Sequence, residues 1–198
     1  MKIFQLLFFG CCFILKTSYG QGTGDEVDLV YLSPPSGPLM GERIVPATGT
    51  SYVQFKGVSY AEPPTGSFRF KDPRPKVPWT APRSALQFGS RCPQPNFVPV
   101  GGPVAGNEDC LFLNIYTPSL PTPANNTPLL PVMVYIHGGG FTQGRSDGFG
   151  GELFMDLDVI TVSINYRLGV LGYLTLGNAD LSGNYEIRTS RRLYDGFR

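Results

Sequence analysis

An α/β fold built on a buried, mostly parallel central sheet flanked by helices is the class this sequence predicts. Three apolar runs carry the prediction: Leu111 to Tyr116 (LFLNIY), Val132 to Ile136 (VMVYI) and Val159 to Asn165 (VITVSIN). They are nearly continuous rather than alternating, the pattern of strands covered on both faces. The second run leads straight into His137 and three consecutive glycines, Gly138, Gly139 and Gly140. Glycine reaches backbone angles that other residues avoid and lets a ligand approach main-chain N–H groups. With 25 glycines and 19 prolines in 198 residues, many turns around short elements are expected.

From the N-terminus, Lys2 supplies a positive start and Ile3 to Leu15 is almost wholly apolar. Ser18, Tyr19 and Gly20 then place small residues around a cleavage point before Gln21. Residues 1–20 are therefore expected to be a secretory signal peptide, the alternative being a retained signal anchor. That run is short for a bilayer and no later one is longer, so no transmembrane segment is expected and the mature chain is predicted to be extracellular. A net charge of +1 gives no reason to expect nucleic acid as a partner, and 41% hydrophobic with 16% charged residues excludes a disordered chain. The length suits one domain to one and a half.

The short apolar run Val27 to Leu32 precedes a turn-rich stretch through Gly41. Tyr52 to Tyr60 has strand-forming residues and ends at the turn Glu62-Pro63-Pro64-Thr65-Gly66. From Arg69 to Pro103 prolines recur without a period, which predicts an ordered loop pinned by Trp79, Phe88 and a disulfide. Cys11 and Cys12 leave with the signal segment. Cys92 and Cys110 remain, and in an oxidising compartment they most simply pair, the alternative being two free buried thiols. The bond would contribute about 3 kcal/mol by constraining the unfolded chain. No CxxC or Cys/His cluster points to a metal, and no cofactor is expected. Asn125-Asn126-Thr127 is a glycosylation acceptor in a Pro-rich loop, with Pro128 directly after it. Gly151 to Asp156 predicts a short helical turn.

Spaced motifs then carry a resemblance: FKGVSYAEPPTGSFRF at 55–70, EDCLFLNIYTP at 108–118, PVMVYIHGGGF at 131–141 and NYRLGVLGY at 165–173. From about Tyr52 to Asn184 the chain resembles the type-B carboxylesterase and cholinesterase family of α/β-hydrolases. The resemblance implies the N-terminal portion of an α/β-hydrolase, incomplete in this chain, with residues 21–185 as the family part. It also implies hydrolysis of a small-molecule carboxylic ester by a Ser-His-acid triad through an acyl-enzyme. Gly139 and Gly140 correspond to the backbone N–H donors of the family's oxyanion hole. Read without the family, the same glycines could make a tight strand-to-helix turn and nothing more. His137, Gly138 and Phe141 would shape that loop. Cys92 with Cys110 matches the family's first disulfide, Arg69 with Glu108 its buried salt bridge, and Asn165, Arg167 and Gly169 a packing loop.

His137 is the chain's one histidine, yet it occupies the loop position rather than that of the triad base. Gly144-Arg145-Ser146-Asp147-Gly148 fits G-x-S-x-G by letter, but no strand precedes Ser146, as a nucleophile elbow requires. Ser146 is therefore expected to be a solvent-exposed loop serine. Glu108 and Asp109 are more simply structural than catalytic.

The resemblance stops after Gly183-Asn184-Tyr185. The family's Gly-Leu and Asp-Gln elements are absent, and four arginines fall in the last eleven residues without the apolar spacing of a core helix. Residues 186–198 are expected to be a divergent tail. The triad serine, acid and histidine would all lie beyond Arg198, so the chain alone is predicted to need a missing C-terminal half, to be inactive and to fold poorly. The alternatives are a non-catalytic, cholinesterase-like adhesion or binding ectodomain, and a truncated isoform or gene-model fragment.

Overall fold

The computed structural model describes residues 28–32, 34, 36–96, 102–120 and 129–196. The signal segment expected at 1–20 and the glycosylation expected at Asn125 lie outside the described residues.

The chain opens as an antiparallel meander of β1 (Asp28–Leu32), β2 (Leu39–Ile44) and β3 (Tyr52–Ser59). The short β4 (Arg83–Ser84) lies parallel beside β2. A separate two-stranded ribbon follows, β5 (Gln94–Asn96) with β6 (Gly102–Ala105). Then come β7 (Phe112–Thr117), β8 (Val132–Ile136) and β9 (Ile160–Ile164), completing a seven-stranded sheet of order β1-β2-β3-β7-β9-β8 with β4 beside β2. Two helices end the described chain, α1 (Gly169–Tyr173) and α2 (Tyr185–Gly196).

The described sheet is mixed, with four antiparallel pairings and only two parallel ones, β2 with β4 and β8 with β9. Apolar content reports burial but not direction. The connections joining β1, β2 and β3 are too short for a parallel crossover, whereas the long one from His137 to Val159 lets β9 run alongside β8. That crossover carries the helical turn expected near Gly151, a 3-10 helix at Glu152–Leu157.

The stretch through Gly41 does turn, the Gly37 N–H donating to the Pro34 carbonyl at 2.9 Å, but its end from Leu39 to Gly41 is already strand β2. A Cβ on Gly41 would lie 2.6 Å from the Phe55 ring and 2.5 Å from the Gln54 carbonyl oxygen, so this glycine is a close-packing residue inside β2. Phe55 itself is fully buried with Val30, Leu32, Leu39, Val53 and Ala85. Leu113, Val162 and Ile164 form the core beneath β7 and β9. β8 differs from its prediction: it is the sheet's outer described strand, with Tyr135 and Ile136 38% and 44% exposed.

Trp79 does pin the long loop, donating its indole N–H to the Pro38 carbonyl at 2.8 Å. Phe88 does not; it is 43% exposed, with the Lys56 ammonium 5.4 Å from its ring centre. The Cys92–Cys110 disulfide is present, with both cysteines 1% exposed among Leu111, Tyr166 and Leu168.

The arginine-rich end is also a helix. Tyr185, Glu186, Thr189 and Ser190 of α2 are all buried. Their i, i+4 repeat is mostly polar because its partners are polar: Thr189 meets Arg167, and Glu186 accepts from the Tyr173 hydroxyl at 3.0 Å. An apolar periodicity could not have found it.

Candidate functional site

The strand β8 ends at His137, which is buried. Its ring stacks on Tyr166 with centroids 4.3 Å apart, and the Tyr166 hydroxyl donates to the His137 carbonyl at 2.7 Å. Nδ1 lies 2.9 Å from the Gly138 carbonyl oxygen, a partner that assigns the proton to Nδ1. Nε2 is buried without a partner among the described residues. Burial lowers the imidazole pKa below its ordinary value, outweighing the opposite pull of the Gly138 carbonyl, Asp147 and Glu186. The ring is therefore a neutral block at the stem of the glycine loop.

Beyond it the chain enters backbone that favours glycine, with φ of +124° at Gly139 and +60° at Gly140. A Cβ on Gly139 would sit 2.0 Å from the Gln143 carbonyl oxygen, so no larger residue fits this turn. Phe141 also takes φ +60°, a strained choice for a bulky residue. It is held by the Gly169 N–H, which donates to its carbonyl at 2.7 Å, and by the Tyr173 ring 5.3 Å away.

The loop closes on itself through one acceptor. The N–H groups of Thr142 and Gln143 both donate to the Gly139 carbonyl, each at 3.2 Å. Among the described residues nothing accepts the N–H of Gly139 or Gly140, and Gly138, Gly139 and Gly140 are all exposed. Successive free N–H groups in positive-φ backbone make an anion-binding concavity.

Ser146 is buried, not solvent-exposed as its loop context suggested. Its hydroxyl accepts from Asn114 Nδ2 at 3.0 Å, and its N–H donates to Asn165 Oδ1 at 2.8 Å. Both partners are remote in sequence, so the letters around Ser146 gave no sign of them. No imidazole stands against this hydroxyl, and its contacts are those of a packing group.

Arg69 and Glu108 meet as a fork, Nε donating to Oε2 at 2.7 Å with Nη2 against Oε1. Their side chains are 44% and 25% exposed, so the buried pair expected here is a half-exposed one. Solvent screening removes most of the penalty for losing it. Asp109 is exposed, its N–H donating to Asn107 Oδ1 at 2.9 Å.

Asn165, Arg167 and Gly169 follow β9 directly. Asn165 Nδ2 donates to the Ser90 carbonyl at 3.1 Å, tying the long loop to the site. Two residues escaped sequence reasoning. Asn114 also donates to Ser163 Oγ at 3.0 Å and accepts the Gly57 N–H at 2.9 Å. Gln94 bonds Gly144 through both ends of its amide. An isolated amide in a strand or loop carries no sequence signal of its own. No group of three or more metal-ligating side chains occurs among the described residues, and no described helix is long and apolar enough to cross a membrane.

A family model described as the carboxylesterase family matches residues 27–188. Juvenile hormone esterase of Tribolium castaneum is 41% identical over 154 residues, covering 77% of this chain and 26% of that protein. Esterase E4 of Myzus persicae is 42% identical over 150 residues, 75% of this chain and 27% of its own length. Acetylcholinesterase 1 of Caenorhabditis elegans is 37% identical over 170 residues, 80% and 27% respectively. The crystal structure of juvenile hormone esterase from Manduca sexta, with OTFP covalently attached, superposes with a TM-score of 0.73 at 35% identity. It is matched over 85% of this chain and 32% of its own. The chain thus spans about a quarter of the length of these curated relatives.

Proposed function

Because this chain belongs to the carboxylesterase family, we propose that its glycine loop supplies the oxyanion-hole half of an ester-hydrolysing site. Its sheet is part of an α/β-hydrolase fold. The observation behind the proposal is the pair of exposed, unaccepted N–H groups at Gly139 and Gly140. A nucleophile attacking an ester carbonyl places a negative charge on its oxygen. Donors already fixed at that point stabilise the charge without reorganising, and loss of one typically costs about 2.7–4 kcal/mol.

The substrate on this reading is a small carboxylic ester. Its hydrolysis also needs an activated nucleophile and a base oriented toward it. His137 is stacked on Tyr166 with its unpartnered Nε2 buried, and the Ser146 hydroxyl is bonded to Asn114, so neither fills those roles. On this reading residues 21–185 are the family portion, which the family model matches over 27–188, and no described residue takes the part of nucleophile, base or acid. The remaining expectations fit the same protein: a signal segment at 1–20, secretion, and a glycan at Asn125 beside an oxidised Cys92–Cys110 pair.

Incubating the chain with p-nitrophenyl butyrate should release no nitrophenolate above a buffer blank. Methylphosphonate, a tetrahedral oxyanion mimic, should shift the amide resonances of Gly139 and Gly140 saturably. Thr142, whose N–H is already donated, should not move. Turnover abolished by Ser146→Ala, or a phosphonate response that bypasses both glycines, would overturn the proposal.

A further inference from the structure

We propose that Gln94 is the positioning residue of the glycine loop, clamping Gly144 and thereby coupling the Cys92–Cys110 disulfide to the geometry of Gly139 and Gly140. The proposal rests on the reading of those two glycines as oxyanion donors.

Gln94 starts β5 just after Cys92 and is only 8% exposed. Its Nε2 donates to the Gly144 carbonyl at 2.8 Å, and its Oε1 accepts the Gly144 N–H at 3.0 Å. The same Nε2 donates back to the Cys92 carbonyl at 3.0 Å. A side-chain amide that satisfies both polar groups of one peptide residue acts as a strand neighbour would. It fixes position and rotation together. Among the described residues no other side chain bonds Gly144.

Gly144 transmits that constraint because nothing separates it from the loop stem. A Cβ there would lie 2.1 Å from His137 Nδ1 and 2.5 Å from the Gly138 carbonyl oxygen. Any shift of Gly144 is thus felt by the imidazole and by the first peptide of the glycine run. At the other end of the path the disulfide is buried against Tyr166, the ring on which His137 stacks. Gly106, beside β6, packs against the Cys92 carbonyl, where a Cβ would come within 2.5 Å. The ribbon therefore has no slack between the disulfide and Gln94.

The amide is the one common side chain of this length that donates and accepts at once without charge. This suggests a test that a merely space-filling role would not move: Gln94→Glu, with glycine amides followed by NMR as pH is varied. The introduced carboxyl, when protonated, has one proton, which restores the donor to the Gly144 carbonyl but not the bond to the Cys92 carbonyl, so at low pH the resonances of Gly138, Gly139, Gly140 and Gly144 should move toward their wild-type positions. Once ionised, it can still accept from the Gly144 N–H but faces the Gly144 carbonyl with no proton to donate. Those four resonances should then shift along one titration that the wild type lacks, with Gly41 and Gly57 unmoved. Reducing the disulfide in the unmutated chain should shift the same loop glycines, a readout that needs no variant to fold. Loop resonances indifferent to both the carboxyl titration of Gln94→Glu and disulfide reduction would overturn the proposal, as would shifts spread equally over Gly41 and Gly57. The methylphosphonate titration separates the two ideas. Coupling without phosphonate binding rejects the donors but keeps Gln94 as the clamp; phosphonate binding without coupling rejects Gln94 alone.

Discussion

Replacing Arg167 with methionine is expected to destabilise the chain by at least about 1–3 kcal/mol, the cost of leaving a buried acceptor without its donor. Arg167 is 3% exposed, and all three nitrogens of its guanidinium donate. Nη1 donates to the Lys71 carbonyl at 2.8 Å, and Nη2 donates to the Tyr185 carbonyl and to Thr189 Oγ1, each at 2.8 Å. Methionine fills much of the volume but takes the guanidinium donors from the Lys71 carbonyl and leaves Thr189 Oγ1 and the Tyr185 carbonyl bonded to each other alone. The loss concentrates where α2 docks, so the far-ultraviolet helix signal should melt before the sheet does. A midpoint in urea within error of wild type would contradict this account of α2.

The second large effect belongs to the loop stem. Gly144→Ala should cost about 2–5 kcal/mol, combining a disfavoured backbone angle with overpacking. Gly144 has φ +132°, and its added Cβ would be driven into His137 and the Gly138 carbonyl. The imidazole is stacked on Tyr166 and cannot retreat without breaking that contact. Chemical denaturation measures the loss. A substitution tolerated within 0.5 kcal/mol, roughly the range of an ordinary surface change, would show that the stem is not packed as described.

The contrast between these two positions shows what could be read from the letters. The runs that became β7, β8 and β9 were visible because apolar side chains must be buried, and composition records that demand directly. Their direction was not visible, since a continuous apolar run looks the same in either orientation. β2 was hidden by Gly41, placed there for the Phe55 ring rather than for a turn. α2 was hidden because a polar face can be buried when Arg167 and Tyr173 satisfy it. At the site, the three glycines and His137 stand together in sequence and could be picked out at once. Ser146, Asn114 and Gln94 could not, because their roles come from partners tens of residues away. Long-range hydrogen bonding leaves no local pattern, and it is what fixes the shape of this loop.

The account turns on one claim: Gly139 and Gly140 hold their N–H groups unspent at the end of β8. Amide hydrogen exchange of the native chain tests it most directly. Gly139 and Gly140 should exchange at rates near those of an open peptide, while Thr142, Gln143, Gly144 and Gly169, whose N–H groups are donated, should be protected. Protection of Gly139 and Gly140 equal to that of Gly144 would mean that the donors are already occupied and that the loop is a turn rather than half of an active site.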